Sequence, residues 1–246
     1  MKMKTILAGC VVTAALVGCG GGGGGSSTTP VPVAPSMEGY WSSTETSETQ
    51  AYGIVTGTDA WVIDEDLNWF VRAEVTTSTA NGTNSFASVD DNSFRYTLAS
   101  DGTTNTGTEV VIAGTYIPKE SLSGADFQLV YDNAFETPAS LASASGAWTG
   151  SFGGGANQLV LTISDTTLAT GTSTTGCSYD GTLTPHTTDA VFDLTVTESC
   201  VDDTETEMSG IAFLMNDSQI LVLAATGISD KTKGAFFVGN KQSVPE

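Results

Sequence analysis

The stretch CSYDGTLTPHTTDAVFDLTVTESC, residues 177–200, decides the fold of this chain. Apolar and polar residues alternate on both sides of a turn sequence, PHTTD. A hairpin that turns there pairs Leu183 with Leu194 and sets Cys177 opposite Cys200. A slip of one residue would move every apolar side chain to the other face, so this one register satisfies both the alternation and the cysteine match. The stretch therefore predicts an antiparallel hairpin with one buried face.

The same alternation recurs through the rest of the chain after Met37. It is clear, with frequent Thr, Val and aromatic residues, at 69–76, 94–99 and 159–164. Turn sequences stand at Asn81-Gly82, Asp101-Gly102 and Asp180-Gly181. No stretch keeps a helical period, and the one helix candidate is Pro138–Ser145, with Thr137 and Gly146 as its caps. The sequence predicts an all-β protein.

Eight short strands can be counted in the second half of the chain. They are predicted to begin at Trp148, Gln158, Thr167, Cys177, Val191, Ser209, Gln219 and Gly234. Eight short antiparallel strands that follow one another in sequence are typical of an up-and-down barrel or a strongly curled sheet.

Two pairs of segments resemble each other. SMEGYW at 36–41 parallels ASGAW at 144–148, and KESLSGADF at 119–127 parallels KTKGAF at 231–236. The nearly constant offset predicts a duplicated unit of about 110 residues. We therefore expect two tandem antiparallel β-meander domains, at residues 38–136 and 137–246.

Each predicted domain opens with Gly-x-Trp, at Gly39 and Gly146. The motif resembles the first strand of lipocalins and of some small periplasmic protease inhibitors, whose Trp packs across one end of an up-and-down barrel. This resemblance implies lipocalin-like barrels, although no later motif of those families follows. A Trp in any β core is the alternative interpretation.

Residues 1–18 have the features of an export signal, with two lysines followed by an apolar run from Ile6 to Val17. The run is shorter than the roughly 20 residues that a membrane-spanning helix needs. Leu16-Val17-Gly18-Cys19 resembles the lipobox of bacterial lipoproteins, in which the thiol is diacylated, the signal is cut before the cysteine and the new amino group is acylated. The resemblance implies that Cys19 is lipidated and begins the mature chain. An ordinary secretory signal or a plain anchor helix is the alternative.

The segment 19–37 is predicted to be a tether. Gly20–Gly25 is an unbroken glycine run, and Ser, Thr and three prolines follow it up to Pro35. Lipoproteins retained at the inner membrane carry Asp after the cysteine, so Gly20 implies the outer membrane, facing either the periplasm or the surface. The whole arrangement resembles proteobacterial lipoproteins with Gly-rich tethers and tandem β domains.

Two of the four cysteines lie within the folded part. Cys10 leaves with the predicted signal and Cys19 is lipidated, which leaves Cys177 and Cys200 in a chain expected to reach a compartment where disulfides persist. We expect a structural disulfide between them. A redox-active pair is the alternative, but the chain lacks the Cys-x-x-Cys spacing that lowers the pKa of such thiols.

The charge balance excludes one class of partner. Eight Lys and Arg residues stand against 28 Asp and Glu, for a net charge of −20. Nucleic-acid binding depends on Lys and Arg contacts to phosphate and is therefore excluded. The apolar fraction of 39% is sufficient for a hydrophobic core.

Candidate catalytic residues are few. His186 is the only histidine, lies beside Pro185 in the predicted turn, and is expected to be solvated. No Gly-x-Ser-x-Gly motif accompanies it. The sequence therefore predicts no catalytic residue, no cofactor and no enzyme activity.

Candidate calcium ligands are acidic residues in turns. Asp64, Asp66 and Asn68 are spaced like the start of a calcium loop, but Trp69 stands where the loop requires glycine. Asp90-Asp91 and Asp202-Asp203 are further acidic pairs. We expect solvated turns at all three places and no dedicated metal site, with opportunistic Ca²⁺ binding as the alternative.

The late hairpin is apolar on both faces, at residues 211–215 and 220–225. Continuous apolar strands imply burial on both sides, so we expect this hairpin to pack against the other domain, with a partner or ligand surface as the alternative. Phe70 is out of phase with its apolar neighbours and is predicted to point outward or into the contact between the domains. The four tryptophans, Trp41, Trp61, Trp69 and Trp148, are predicted to point inward.

Together these features predict a lipoprotein that is anchored to the outer membrane through the lipid on Cys19. Its expected function is that of a non-catalytic binding or surface-interaction module for a protein or small molecule. The alternative is a periplasmic lipocalin-like carrier or a protease inhibitor.

Replacing Cys19 by Ala should abolish lipid attachment, because the thiol is the acceptor. Metabolic labelling with a clickable fatty acid and membrane fractionation measure the effect. Cys10→Ala is the matched control and should leave labelling unchanged. Equal labelling of the wild type and the Cys19→Ala variant would contradict the prediction.

Overall fold

The computed structural model describes residues 36–44, 50–66, 68–80, 83–88, 94–97, 108–109, 112–124, 127–152, 157–166, 168–201, 205–215 and 217–243. Within these residues the chain forms eighteen strands in two antiparallel sheets and almost no helix. The predicted all-β fold is confirmed.

The first sheet, here called the curled sheet, contains ten strands. They are β1 Gly39–Ser43, β2 Ala51–Thr56, β3 Asp59–Asp64, β4 Trp69–Ala80, β5 Thr83–Ser88, β6 Phe94–Thr97, β7 Thr108–Glu109, β8 Ala113–Ile117, β9 Ser121–Ser123 and β10 Gln128–Asp132. Their order is β3-β2-β1-β10-β9-β8-β5-β4-β6-β7, and β3 pairs in addition with β4. The sheet therefore curls back on itself.

The second sheet, here called the barrel, is closed and contains eight strands in sequence order. They are β11 Gly146–Phe152, β12 Gln158–Ile163, β13 Leu168–Ser173, β14 Ser178–Pro185, β15 Val191–Ser199, β16 Thr206–Met215, β17 Ile220–Gly227 and β18 Gly234–Lys241. Closure leaves no unpaired strand edge on this sheet. Every predicted strand of the second half exists, and each begins within three residues of its predicted start.

The predicted hairpin register is confirmed, but one predicted turn is wrong. Leu183 pairs with Leu194, and Ser178 pairs with Ser199. Asp180-Gly181 lies inside β14 rather than in a turn. A β-carbon on Gly181 would collide with the carbonyl of Thr195, so the glycine here permits close approach of two strands. The other two predicted turns, Asn81-Gly82 and Asp101-Gly102, lie outside the described residues.

The two Gly-x-Trp motifs have the same local structure. Trp41 and Trp148 are fully buried, and each indole N–H donates to the carbonyl four residues earlier, of Met37 at 3.2 Å and of Ala144 at 2.8 Å. Gly146 has a φ of +124°, which side chains rarely allow. The second sequence match also falls at equivalent places, because Phe127 directly precedes β10 and Gly234 begins β18, and each of these last strands pairs with the first strand of its sheet.

A short connector links the sheets between β10 and β11. It contains a 3₁₀ turn at Asn133–Glu136 and one helical turn, α1, at Leu141–Ala144. The helix predicted at Pro138–Ser145 is shorter than expected, and its predicted caps are wrong, because it begins after Ser140 and ends at Ser145. The connector contains residue 137, the predicted domain boundary, while the described residues all belong to one compact unit.

Both interiors are filled with side chains. The barrel encloses a core that includes Trp148, Leu161, Leu183 and Phe237. The described residues line a cavity of about 30 Å³ in the barrel and one of about 20 Å³ in the curled sheet. A cavity needs about 10–15 Å³ of such volume to hold one water, so neither cavity holds more than one or two waters.

The outer faces of the two sheets pack against each other. Phe70 and Tyr96 of the curled sheet stack at 4.6 Å between ring centroids, and Phe236 of the barrel stacks on Phe70 at 5.7 Å. We call this contact the inter-sheet core. Its fully buried members are Ile54, Trp61, Ile63, Phe70, Tyr96, Phe135, Val191, Ile211, Phe213, Val222, Ala224 and Phe236.

The inter-sheet core confirms two predictions and corrects a third. The late hairpin is buried on both faces, because Ala212 and Leu221 point into the barrel while Ile211 and Val222 point into the inter-sheet core. Phe70 lies in this contact, as one of its two predicted positions required.

Trp61 was predicted to point inward but belongs to the inter-sheet core instead. Trp41 and Trp148 do lie in the two interiors, and Trp69 is partly buried against Val62 and Val71.

Replacing Phe70 by Ala should lower the free energy of unfolding by about 3–5 kcal/mol, because it removes a fully buried ring from the centre of this contact. Urea denaturation measures the loss. Val160→Ala is the control, since Val160 is 49% exposed on the barrel and should change stability by no more than about 0.5 kcal/mol. Equal effects of the two substitutions would contradict this role for the inter-sheet contact.

Candidate functional site

Several sequence-predicted candidates lie outside the described residues. These are the lipidation site Cys19 and the acidic pairs Asp90-Asp91 and Asp202-Asp203. The remaining candidates are Asp64 with its neighbours, the pair Cys177 and Cys200, and His186.

Asp64 serves the turn between β3 and β4. Its carboxylate accepts a hydrogen bond from the backbone N–H of Asn68 at 3.1 Å. An Asp that bonds the backbone a few residues later is a common way to stabilise a turn. The Asp64 carboxylate therefore takes part in a structural hydrogen bond of this turn.

Cys177 and Cys200 form a disulfide, with their Cα atoms 4.2 Å apart. Cys177 lies just before β14 and Cys200 just after β15, so the bond continues the β14–β15 ladder by one step. The alternation of the quoted stretch and the observed pairing agree on this position.

Beside the disulfide, a tyrosine and a carboxylate meet at the barrel end. The Tyr179 hydroxyl donates to Glu198 Oε2 at 2.7 Å, and the Tyr179 ring lies 5.1 Å from that of Phe152. Burial, followed by the hydrogen bond to Glu198, raises the pKa of Tyr179 far above its ordinary value of 10.0. A neutral phenol bonded to a carboxylate stabilises this end of the barrel.

Among the described residues, one cluster has the composition of a metal site, namely Cys177, Glu198 and Cys200. Its two sulfurs are bonded to each other, and metal binding by cysteine requires free thiolates. Glu198 is already the acceptor of the Tyr179 hydroxyl. The arrangement is therefore a covalent cross-link and does not provide a set of metal ligands.

His186 is not the solvated residue that the sequence predicted. Its side chain is 20% exposed, with Nδ1 3.1 Å from Asp189 Oδ2 and Nε2 3.0 Å from Asp193 Oδ1. Burial lowers the pKa of His186, but the hydrogen bonds and charges of Asp193 and Asp189 outweigh it and hold the pKa above its ordinary value of 6.5. The sequence has one Asp three residues after the histidine and another seven residues after it. This spacing could have indicated both contacts, but sequence reasoning missed it.

A second polar site that sequence reasoning missed lies at the inter-sheet contact. Arg72 of β4 reaches across to the barrel, where Nη1 donates to the Ser209 carbonyl at 3.2 Å, the Ser209 hydroxyl at 3.1 Å and the Thr226 hydroxyl at 2.7 Å. Nη2 donates to Asp59 at 3.0 Å, and the guanidinium lies over the Trp61 ring. Its partners are 137 and 154 residues away, so no local pattern could have indicated them.

No family model, no curated protein and no solved structure matches this chain. Within the described residues, no helix has the length and apolar character needed to cross a membrane.

Replacing both Cys177 and Cys200 by Ala should cost about 3 kcal/mol of stability, because the closed loop no longer restricts the unfolded chain. Urea denaturation of the oxidised wild type and the double variant measures the difference. Thiol titration of the denatured mature protein should find neither cysteine free. Two free thiols at these positions would contradict the disulfide.

Proposed function

We propose that this protein is a lipoprotein anchored to the outer membrane that acts as a non-catalytic binding or surface-interaction module. One observation carries the proposal. The described residues line one cavity of about 30 Å³ inside the barrel and one of about 20 Å³ inside the curled sheet. Neither holds a ligand of useful size, which favours binding on the outer faces or the turns.

The contact between the sheets supports a binding module. The inter-sheet core holds the two sheets together, so the surfaces that stay exposed keep fixed positions relative to each other. Rigid scaffolds commonly carry binding residues on their loops. Such a module has no need of an internal cavity.

The anchor rests on the N-terminal sequence. The lipobox-like tetrapeptide that ends at Cys19 and the Gly-rich segment up to Pro35 would place the folded part at a distance from the membrane. Several acyl chains on one residue make a stable anchor, whereas a single chain gives marginal binding.

The net charge of −20 favours cationic partners, since opposite charge speeds encounter and like charge suppresses wrong partners. Membrane contact is proposed through the lipid alone, because eight Lys and Arg residues in the whole chain give little attraction to anionic headgroups.

The non-catalytic part of the proposal rests on how the titratable groups are used. The His186 ring lies between two aspartates, and Glu198 accepts the Tyr179 hydroxyl. A histidine base needs one ring nitrogen free to take the substrate proton, whereas both ring nitrogens of His186 contact aspartates.

The lipocalin-like alternative draws on the eight-stranded barrel and on the buried Trp148, two residues after Gly146 at the start of its first strand. The filled interior disfavours a small-molecule carrier, because drug-sized ligands occupy pockets of about 300–1,000 Å³. A protease inhibitor would use outer loops and is compatible with a filled barrel.

Protease treatment of intact cells, combined with separation of inner and outer membranes, tests the proposal. The full-length protein should sediment with outer membranes, and Cys19→Ala should not. Loss of the folded part from intact cells indicates surface display, and survival until lysis indicates a periplasmic module.

Sedimentation with inner membranes would overturn the proposed anchor. Reproducible turnover in a hydrolase screen that is abolished by His186→Ala or Glu198→Gln would overturn the non-catalytic part.

A further inference from the structure

The turn between β14 and β15 holds the connector that joins the two sheets. The Ala139 N–H donates to the Asp189 carbonyl at 2.9 Å, and the Ala190 N–H donates to the Phe135 carbonyl at 2.8 Å. Phe135 is buried in the inter-sheet core together with Val191. The path of the connector over the barrel therefore depends on this turn keeping its shape.

The same connector covers the end of the barrel that contains Trp148. Ala144 of α1 is fully buried in the barrel core and accepts the Trp148 indole N–H. Ala139 and Leu141 pack against that core as well. Loosening the connector would weaken both the inter-sheet contact and the cover over this barrel end.

His186 joins two parts of the turn through opposite sides of its ring. Nδ1 meets Asp189, whose carbonyl holds the connector, and Nε2 meets Asp193 on β15. The backbone N–H of His186 also donates to the Val191 carbonyl at 3.0 Å. The His186 side chain thus links Asp189, which holds the connector, to strand β15 of the barrel.

The two contacts require two ring N–H donors. A neutral imidazole has one N–H and one lone pair, so one of the aspartates would face a lone pair instead of a donor. Only the imidazolium donates to both carboxylates and adds opposite charge. We propose that His186 is an acid-strengthened clasp, which fastens the connector to the β14–β15 turn when the imidazole is protonated.

The two carboxylates that contact the ring both favour its protonated form. They are those of Asp189 from the turn and Asp193 from β15. The connector stretch at 133–140 has one titratable side chain, Glu136, which is bonded to Lys119 and to the Tyr131 hydroxyl. The two aspartates outweigh the burial of the ring, which alone would favour the neutral form.

The sign of the pH dependence follows from linkage. The folded protein holds the proton more tightly than the unfolded chain, so the stabilisation is complete below the ordinary pKa of 6.5 and is lost as the pH rises through the higher folded value. The clasp therefore stabilises the connector more at acidic pH and less at alkaline pH.

His186 is the only histidine, so its ring proton gives a single, unambiguous NMR titration in the full-length protein. The pKa should lie above 6.5 in the wild type, and Asp189→Asn and Asp193→Asn should each lower it. Asp180 is exposed on β14, so Asp180→Asn is the matched control and should leave the pKa unchanged.

Amide hydrogen exchange at Ala139 and Ala190 tests whether titration acts on the connector. Relative to Leu161 in β12, protection of both amides should fall by up to about tenfold per pH unit as the ring loses its proton. His186→Gln should remove this dependence. A wild-type pKa at or below 6.5, or the same protection profile in wild type and His186→Gln, would overturn the clasp.

Discussion

The structure depends on burying the outer face of the barrel against the outer face of the curled sheet. A closed barrel buries its inner face by itself, and its outer face normally meets water. Here the outer residues of β16 to β18 are apolar, because Phe70 and its neighbours cover them. This contact explains the two-sided apolar strands, and it explains why a glycine stands at 234. A β-carbon there would collide with the Tyr96 ring, which lies over the barrel surface.

The edge of that contact is polar, and Arg72 forms hydrogen bonds across it. Arg72 is 16% exposed, and it finds three oxygens on the barrel and one carboxylate on its own sheet. A charge this deeply placed is tolerated because both Nη1 and Nη2 donate to oxygens, whereas removal of the partners would leave a buried charge unpaired. The Tyr96 hydroxyl adds a bond to the Lys231 carbonyl at 2.6 Å. These bonds fix the orientation of one sheet on the other, which apolar packing alone does not specify.

The proposed binding function would use the outside of the molecule, because side chains fill both interiors. The barrel has a closed hydrogen-bond pattern, so partners cannot add a strand to it. The exposed surface then consists of turns and of outward positions such as Thr182 and Thr195, whose hydroxyls bond each other at 2.6 Å. The connector touches the barrel core, the inter-sheet core and the His186 turn. Its stability therefore bears on the arrangement of every surface that a partner would meet.

The sequence by itself determined the strands, their alternation and the register of the cysteine hairpin, because a period of two is a local property and one slip would expose the core. It also indicated the two-sided burial of the late hairpin. Only the tertiary structure decided that Trp61 faces the other sheet, that Asp180-Gly181 continues a strand, and that the first sheet curls while the second closes. It also decided the partners of Arg72 and the position of His186 between two aspartates. These features depend on which surfaces meet across more than a hundred residues or on the close approach of neighbouring backbones, and neither is encoded in the period of a single strand.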